Sequence, residues 1–229
     1  MDGFHRFKLL IGDKFELVKN TTVAVFGLGG VGSYVVEILA RSGIGTLIII
    51  DNDKIDITNL NRQLMTNYNN IGEFKTDVIE KRLKSINPNI NIIKISEFIT
   101  KENINIVFNK KIDYVVDAID TIETKKEIIR ICKRNNISFI SCMGTGNKLH
   151  PEKLEIMDIR KTSYDPIAKI IRKMVKDERI KGKVMVVCSD EKPKRKIDKE
   201  IPSSAFVPSA AGILCASYII NDIVGDNNV

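Results

Sequence analysis

The stretch Gly27-Leu28-Gly29-Gly30-Val31-Gly32 places glycines at the GxGxxG spacing (Gly27, Gly29 and Gly32), and Asp51 follows at the end of the next apolar run. Glycines at this spacing let the backbone turn tightly and approach phosphate, and a helix start just after them offers unpaired N–H groups and a favourable dipole. Asp51 is spaced to hydrogen-bond ribose hydroxyls. Alone, this fingerprint favours NAD or FAD over ATP. The text that follows, DNDKIDITNLNRQLM and then IGEFKTDVIEKRLKSINP, reverses the preference because it supplies Arg62 and Lys75. A dehydrogenase has no use for two cations there. Attack on an α-phosphate does, since charge must be neutralised on the transferred group and on departing pyrophosphate. Asp120, in VVDAID, is a carboxylate at the C-terminal edge of the predicted sheet, where open α/β sheets bind ligands and where oxygen ligands hold magnesium.

These residues need a frame. TVAVF and TLIII are short apolar runs flanking the helically spaced SYVVEILARSG, a βαβ unit with both strands buried. Further apolar runs at 90–95, 114–116 and 137–141 alternate with helical patterns at 75–85 and 121–135. Strands interleaved with helices predict a mainly parallel, Rossmann-like α/β sheet with helices on both faces. Beyond Gly144 the pattern predicts one or two strands, a helix over 165–177, the strand KVMVVCS, and a helix within SAAGILCASYII. The 229 residues suit one domain over 1–229, with a nucleotide-binding core at about 20–145 and a smaller C-terminal strand-and-helix segment at about 146–229. The charged, Pro-containing stretch 189–204 reads as a mobile basic loop with nothing to build a core.

Composition narrows the function classes. Lys plus Arg number 36 against 29 Asp plus Glu, net +7, and the excess concentrates between Lys169 and Lys199, with twelve basic residues against five acidic. That leans toward a polyanionic partner. Four cysteines without a CxxC pair offer neither zinc-knuckle spacing nor a redox dithiol, and read as reduced and cytoplasmic. The N-terminus shows no signal peptide, and no apolar run reaches the ~18–20 residues of a membrane span, so stable membrane insertion is not expected. His5 and His150 are the only histidines, which disfavours a Ser-His-Asp triad; His150 reads as an exposed loop residue. Glu37 and Glu80 lie on predicted helices, facing solvent or pairing with neighbouring cations.

GLGGVGS, DNDKIDITNLNRQ, GEFK at 72–75, SINP and DAIDT together resemble the ubiquitin-activating-type adenylyltransferases that include the ThiF, MoeB and HesA proteins, over roughly residues 3–145. The resemblance implies ATP with magnesium. It places Gly29 and Gly30 at the phosphates, Asp51 at the ribose, and Asn59, Arg62 and Lys75 at the triphosphate, with Gly27 and Gly32 in the same cofactor-binding loop. Asp53 and Gln63 belong to the same nucleotide set, and Asp120 would hold the metal. It also implies a homodimer in which Arg6, within HRFKLLIG, is donated across the interface. The sulfur-carrier branches commonly carry two CxxC pairs, absent here. SCMGTGNKLHPEKLEIMDIRKTSYDPIAK and the C-terminal IPSSAFVPSAAGILCASYIINDI instead resemble the tRNA threonylcarbamoyladenosine dehydratase branch, so the carboxylate to be adenylated would lie on tRNA. Activation of a ubiquitin-like sulfur-carrier tail is the alternative, and a sulfur-donor or electron-transfer partner protein stays open. Relatives that transfer thioesters keep a catalytic cysteine near Cys188, but a small hydrophobe ending a strand is the favoured reading of this one.

Overall fold

The computed structural model describes residues 2–192, 194 and 200–226. Two short helices open the chain, α1 (His5–Ile11) and α2 (Phe15–Lys19), neither anticipated from sequence because a few residues carry too little periodicity to register. β1 (Thr22–Phe26) leads through the glycine turn into α3 (Gly32–Arg41) and on to β2 (Thr46–Ile50). α4 (Lys75–Ile86), β3 (Asn91–Ile95), a single-turn α5 (Asn105–Phe108), β4 (Tyr114–Asp117), α6 (Ile122–Asn135) and β5 (Ser138–Cys142) complete the predicted alternation. One strand, β6 (Leu154–Asp158), follows the 144–150 turn; α7 (Pro166–Asp177), β7 (Met185–Ser189) and α8 (Phe206–Ile223) finish the chain.

The strands form one seven-stranded sheet in the order β3-β2-β1-β4-β5-β7-β6. All pairs are parallel except β6 with β7 at the edge, so the sheet is mainly parallel as predicted. Alternation within the strands divides the core. Val23, Val25, Leu47 and Ile49 meet residues of α3, α4 and α8 on one face, whereas Ala24, Phe26, Ile48 and Ile50 meet α5, α6 and α7 on the other. Both faces are therefore covered, which is why these strands read as continuous Val/Ile runs.

The register aligns the C-terminal ends of the strands. Phe26 pairs with Ile50 and with Asp117, and Asp117 with Ser141. From β1 the chain winds outward to β2 and β3, then returns to β4 on the other side. The switch point thus lies between β1 and β4, where a crevice opens at the carboxyl edge.

α8 is long and apolar enough to cross a membrane, but it packs against α3 and the sheet. A Cβ added to Gly212 would lie 2.5 Å from the Val31 carbonyl oxygen and 2.8 Å from Tyr34 Cβ, so only glycine permits this approach.

Two expectations need correction. The 189–204 stretch is not uniformly exposed: Ser189 ends β7 in the interior, and Glu191 is buried because its carboxylate accepts hydrogen bonds from the backbone N–H groups of Leu149 and His150. Residues 193 and 195–199, and with them most of the basic run, lie outside the described residues. Asp120 does not end the strand either. β4 stops at Asp117, whose side chain is drawn inward by a buried lysine, and Asp120 stands three residues on, exposed, in the loop before α6.

Candidate active site

A cavity of about 450 Å³ occupies the switch point. The glycine turn forms one wall, and its geometry explains each glycine separately. Gly27 has φ +85°, and a Cβ there would lie 2.8 Å from the Ala118 oxygen on the neighbouring β4 loop. A Cβ on Gly32 would fall 1.8 Å from the Gly27 oxygen, so Gly32 allows the turn to fold onto itself at the start of α3. At Gly29, by contrast, the nearest atom to such a Cβ is Gln63 Nε2 at 3.9 Å. Gly29 borders open space, as a backbone approached by phosphate should. Among the described residues, the N–H groups of Gly29, Gly30 and Val31 donate to no acceptor. They are the orphan donors of a helix N-terminus, an anion seat.

Asp51 ties this turn to β2. Its Oδ2 accepts from Leu28 N at 2.7 Å and its Oδ1 from Asp53 N at 2.8 Å, while the remaining lone pairs are available to ribose hydroxyls. Burial raises its carboxyl above the ordinary range, an effect that the nearby Lys75 ammonium partly offsets. Lys75 is itself buried at the first turn of α4, 2.7 Å from Asp53 Oδ2 and 3.9 Å from Asp51 Oδ1. Arg62 donates to the Thr58 carbonyl and to Asn61 Oδ1, both at 2.9 Å. Asn59 Oδ1 accepts from Asp56 N, which leaves its NH2 without a described partner. Gln63 is buried with its Oε1 unpaired.

Gly27, Gly29, Gly30, Asp51, Asp53, Asn59, Arg62, Gln63, Lys75 and Asp120 all line this one cavity; Gly32 and Arg6 do not. Gly32 acts beneath the surface, and Arg6 is exposed on α1. Asp120 has no hydrogen bond or ion pair to a described residue. A lone carboxylate suits a magnesium ion that keeps its waters and is shared with phosphates; among the described residues no cluster of three or more metal-ligating side chains offers an all-protein cage.

Residues 5–226 match the ThiF family. The chain belongs to it. The tRNA threonylcarbamoyladenosine dehydratase of Bacillus subtilis is 41% identical over 97% of this chain and 95% of that protein. The crystal structure of the Escherichia coli tRNA N6-threonylcarbamoyladenosine dehydratase in complex with AMP superposes with a TM-score of 0.91 at 30% identity, covering 97% of this chain and 94% of that one. Its ATP complex gives 0.90 at 30% identity, covering 97% and 93%. Those two structures hold AMP and ATP, nucleotides of the kind that Arg62 and Lys75 favour over the NAD or FAD that the glycine fingerprint alone suggests.

Several parts of this ThiF-family site escape sequence reasoning. Glu97, Phe98 and Ile99 line the cavity beyond β3, Cys142–Gly146, Ile201 and Ser203 line it beyond β5 and ahead of α8, and Pro208 of α8 stands against Gly30. Beneath the Ala118–Asp120 loop lies a fully buried group: Lys125 Nζ donates to Asp117 Oδ2 at 2.8 Å, Ser141 Oγ at 3.2 Å and the Cys142 carbonyl at 2.9 Å, and Ser141 Oγ donates to Asp117 at 2.6 Å. This satisfied ion pair joins the ends of β4 and β5. The run DAIDTIETK holds both partners, but nothing in its spacing distinguishes an inward lysine from a solvated one. Cys188 is buried in β7, and burial pushes its thiol up to about 12, a poor nucleophile at neutral pH. His150 Nδ1 pairs with Glu152 at 2.8 Å near the protein surface and is not among the cavity residues.

Proposed function

We propose that this protein is an ATP-dependent dehydratase that adenylates the carboxylate of threonylcarbamoyladenosine in tRNA and promotes its cyclisation. The observation carrying this reading is the convergence of the unpaired Gly29–Val31 N–H groups, Asp51, Arg62 and Lys75 in one cavity, in a chain 41% identical to a dehydratase over almost its whole length.

The Gly29–Val31 N–H groups receive phosphate oxygens at the head of α3, Asp51 accepts from the ribose hydroxyls, and Asn59 and Gln63 offer amides to the triphosphate. Arg62 and Lys75 share the charge that grows as a carboxylate oxygen of the substrate bonds to the α-phosphorus and pyrophosphate departs. Asp120 would hold magnesium, which neutralises phosphate charge when bound. In the resulting acyl adenylate, the carbamoyl group of the same nucleoside attacks the acyl carbon, AMP leaves and one proton is lost, so the nucleoside loses one water overall. The nucleophile and its target share one molecule, and proximity favours closure without an enzyme cysteine.

A second copy of the chain completes the arrangement. Leu9 and Leu10 are 74% and 79% exposed on α1, beside the exposed Arg6, an apolar surface suited to a homodimer interface that carries Arg6 to the partner's triphosphate. The exposed lysines of α7, Lys169, Lys173 and Lys176, rise from a helix whose Ile167 lines the cavity, and fit a tRNA backbone. The reaction is assigned to the cytoplasm, where tRNA resides.

The test is incubation with ATP, magnesium and tRNA bearing threonylcarbamoyladenosine, followed by mild digestion and mass measurement of the nucleosides. Loss of one water and release of AMP are expected. An unchanged mass, with AMP formed only when a protein ending in Gly-Gly is added, would transfer the activity to a sulfur-carrier tail.

A further inference from the structure

The cavity has a second amide-rich turn among its lining residues. Gly144, Thr145 and Gly146 all line the cavity, and among the described residues none of their backbone N–H groups donates to an acceptor. Successive free N–H groups in a turn make an anion-binding concavity. The glycine turn at Gly29–Val31 presents the same feature in the same cavity. One cavity thus holds two anion seats, as expected where a phosphate and a carboxylate must be brought together against their mutual repulsion.

The second turn is fixed from below by a buried ion pair. Lys148, 3% exposed, donates to the Gly144 carbonyl and to Asp165 Oδ2, the latter at 3.0 Å. Asp165 Oδ1 accepts from Ala168 N at 2.9 Å and so caps α7. Because a trans peptide sets its C=O and N–H on opposite edges, the ammonium that takes the Gly144 oxygen turns the Thr145 N–H away from itself. A Cβ on Gly144 would lie 2.6 Å from Asp165 Oδ2, so the turn rests directly on the pair. Asn147 and Tyr164, next in sequence to Lys148 and Asp165, both adopt left-handed backbone, φ 59° and 56°. From the other side, Asn147 N donates to the Pro202 carbonyl at 2.7 Å, and a Cβ on Gly146 would meet Ile201 Cγ2 at 2.4 Å.

We propose that the backbone N–H groups of Gly144–Gly146 seat the carboxylate of the substrate in the cavity they share with the glycine turn, with Lys148 and Asp165 as positioning residues for that seat. The inference rests on the dehydratase reading above and adds to it the site of carboxylate recognition. It also joins carboxylate binding to α7, whose N-terminus Asp165 caps.

The experiment compares binding of tRNA bearing threonylcarbamoyladenosine with binding of the same tRNA after methyl esterification of the carboxylate, without ATP. Wild type is expected to bind the free carboxylate about tenfold more tightly, the effect of one or two hydrogen bonds to a charged group. Asp165→Asn keeps an oxygen to cap α7, since Asn is among the best N-caps, and Lys148→Met combined with it removes both charges together. Both variants should lose the preference for the carboxylate while retaining wild-type affinity for ATP and for the esterified tRNA. A variant that retains both the fold and the preference overturns the inference, as does a wild type that binds the two tRNAs equally. Failure of the functional reading is separable: it shows in the wild type alone, as absence of nucleoside dehydration.

Discussion

The Lys75 ammonium lies 2.7 Å from the Asp53 carboxylate and is buried against it, so its charge is aimed before any nucleotide arrives. A lysine pre-oriented in this way loses little freedom on meeting phosphate, and its contribution falls on the transition state. Lys75→Ala should lower AMP formation by about 10²–10³-fold, with a circular dichroism spectrum like that of wild type. Activity within a few-fold of wild type would remove Lys75 from the chemistry.

The glycine turn gives a paired prediction. Gly32→Ala places a methyl group 1.8 Å from the Gly27 oxygen and must displace the turn, so the variant should be strongly destabilised in thermal melting. Gly29→Ala meets only Gln63 Nε2 at 3.9 Å and should melt near wild type while binding ATP more weakly. Equal melting temperatures for the two would contradict the division of labour between them.

Lys125 and Asp117 are both fully buried and hydrogen-bonded to one another. Lys125→Met strands the Asp117 carboxylate, and breaking a buried pair in this way costs about 3–5 kcal/mol. Asp117→Asn combined with Lys125→Met should recover much of that loss, because neither partner is then left charged. Denaturant unfolding of the single and double variants measures the coupling.

Glu37 braces α3 against α4. Burial raises its carboxyl, but hydrogen bonds from Arg82 and Arg41 outweigh burial and leave it below the ordinary range. A depressed folded-state value means that its stabilisation is fully present above the unfolded value of about 4.3 and is lost as pH falls through the lower folded value. Glu37→Gln should therefore be less stable than wild type at neutral pH, by an amount between the ~1 kcal/mol of an exposed pair and the ~3–5 kcal/mol of a buried one. The difference should shrink below about pH 4. A pH-independent difference would show that packing rather than charge is at work.

Cys188→Ala should dehydrate the nucleoside at a rate close to wild type, because the thiol is buried and held protonated. Trapping of a thioester at Cys188 would reverse this assignment.

The centre of the sheet was legible because both its faces are covered: after their first threonine, TVAVF and TLIII carry no polar position to confuse strand with loop. Much of the site was legible too, since Gly27–Gly32, Asp51, Arg62 and Lys75 follow one another in a short span of chain. The rest was not. Gly144–Gly146 and Ile201 converge only through tertiary folding, and a turn that offers backbone N–H groups leaves no side-chain signature. Glu191 reads as part of an exposed charged loop, and nothing marks Lys148, because composition cannot reveal a buried partner. Asp117 and Asp120 are equivalent in the text; only the inward lysine distinguishes the structural carboxylate from the one facing the cavity.

The close packing of α8 on the phosphate turn has a further consequence, for the order in which the molecule becomes competent. A Cβ on Gly30 would lie 3.1 Å from Pro208 Cβ, so residues from the start and the end of the chain share one wall of the cavity. Gly30 and Pro208 stand about 180 residues apart in sequence, so this wall forms only by closing a very long loop, a contact whose entropic cost must be met before it stabilises anything. The phosphate turn therefore gains its backing only when α8 docks, and shape at the nucleotide site is a product of long-range folding rather than of the glycine turn alone.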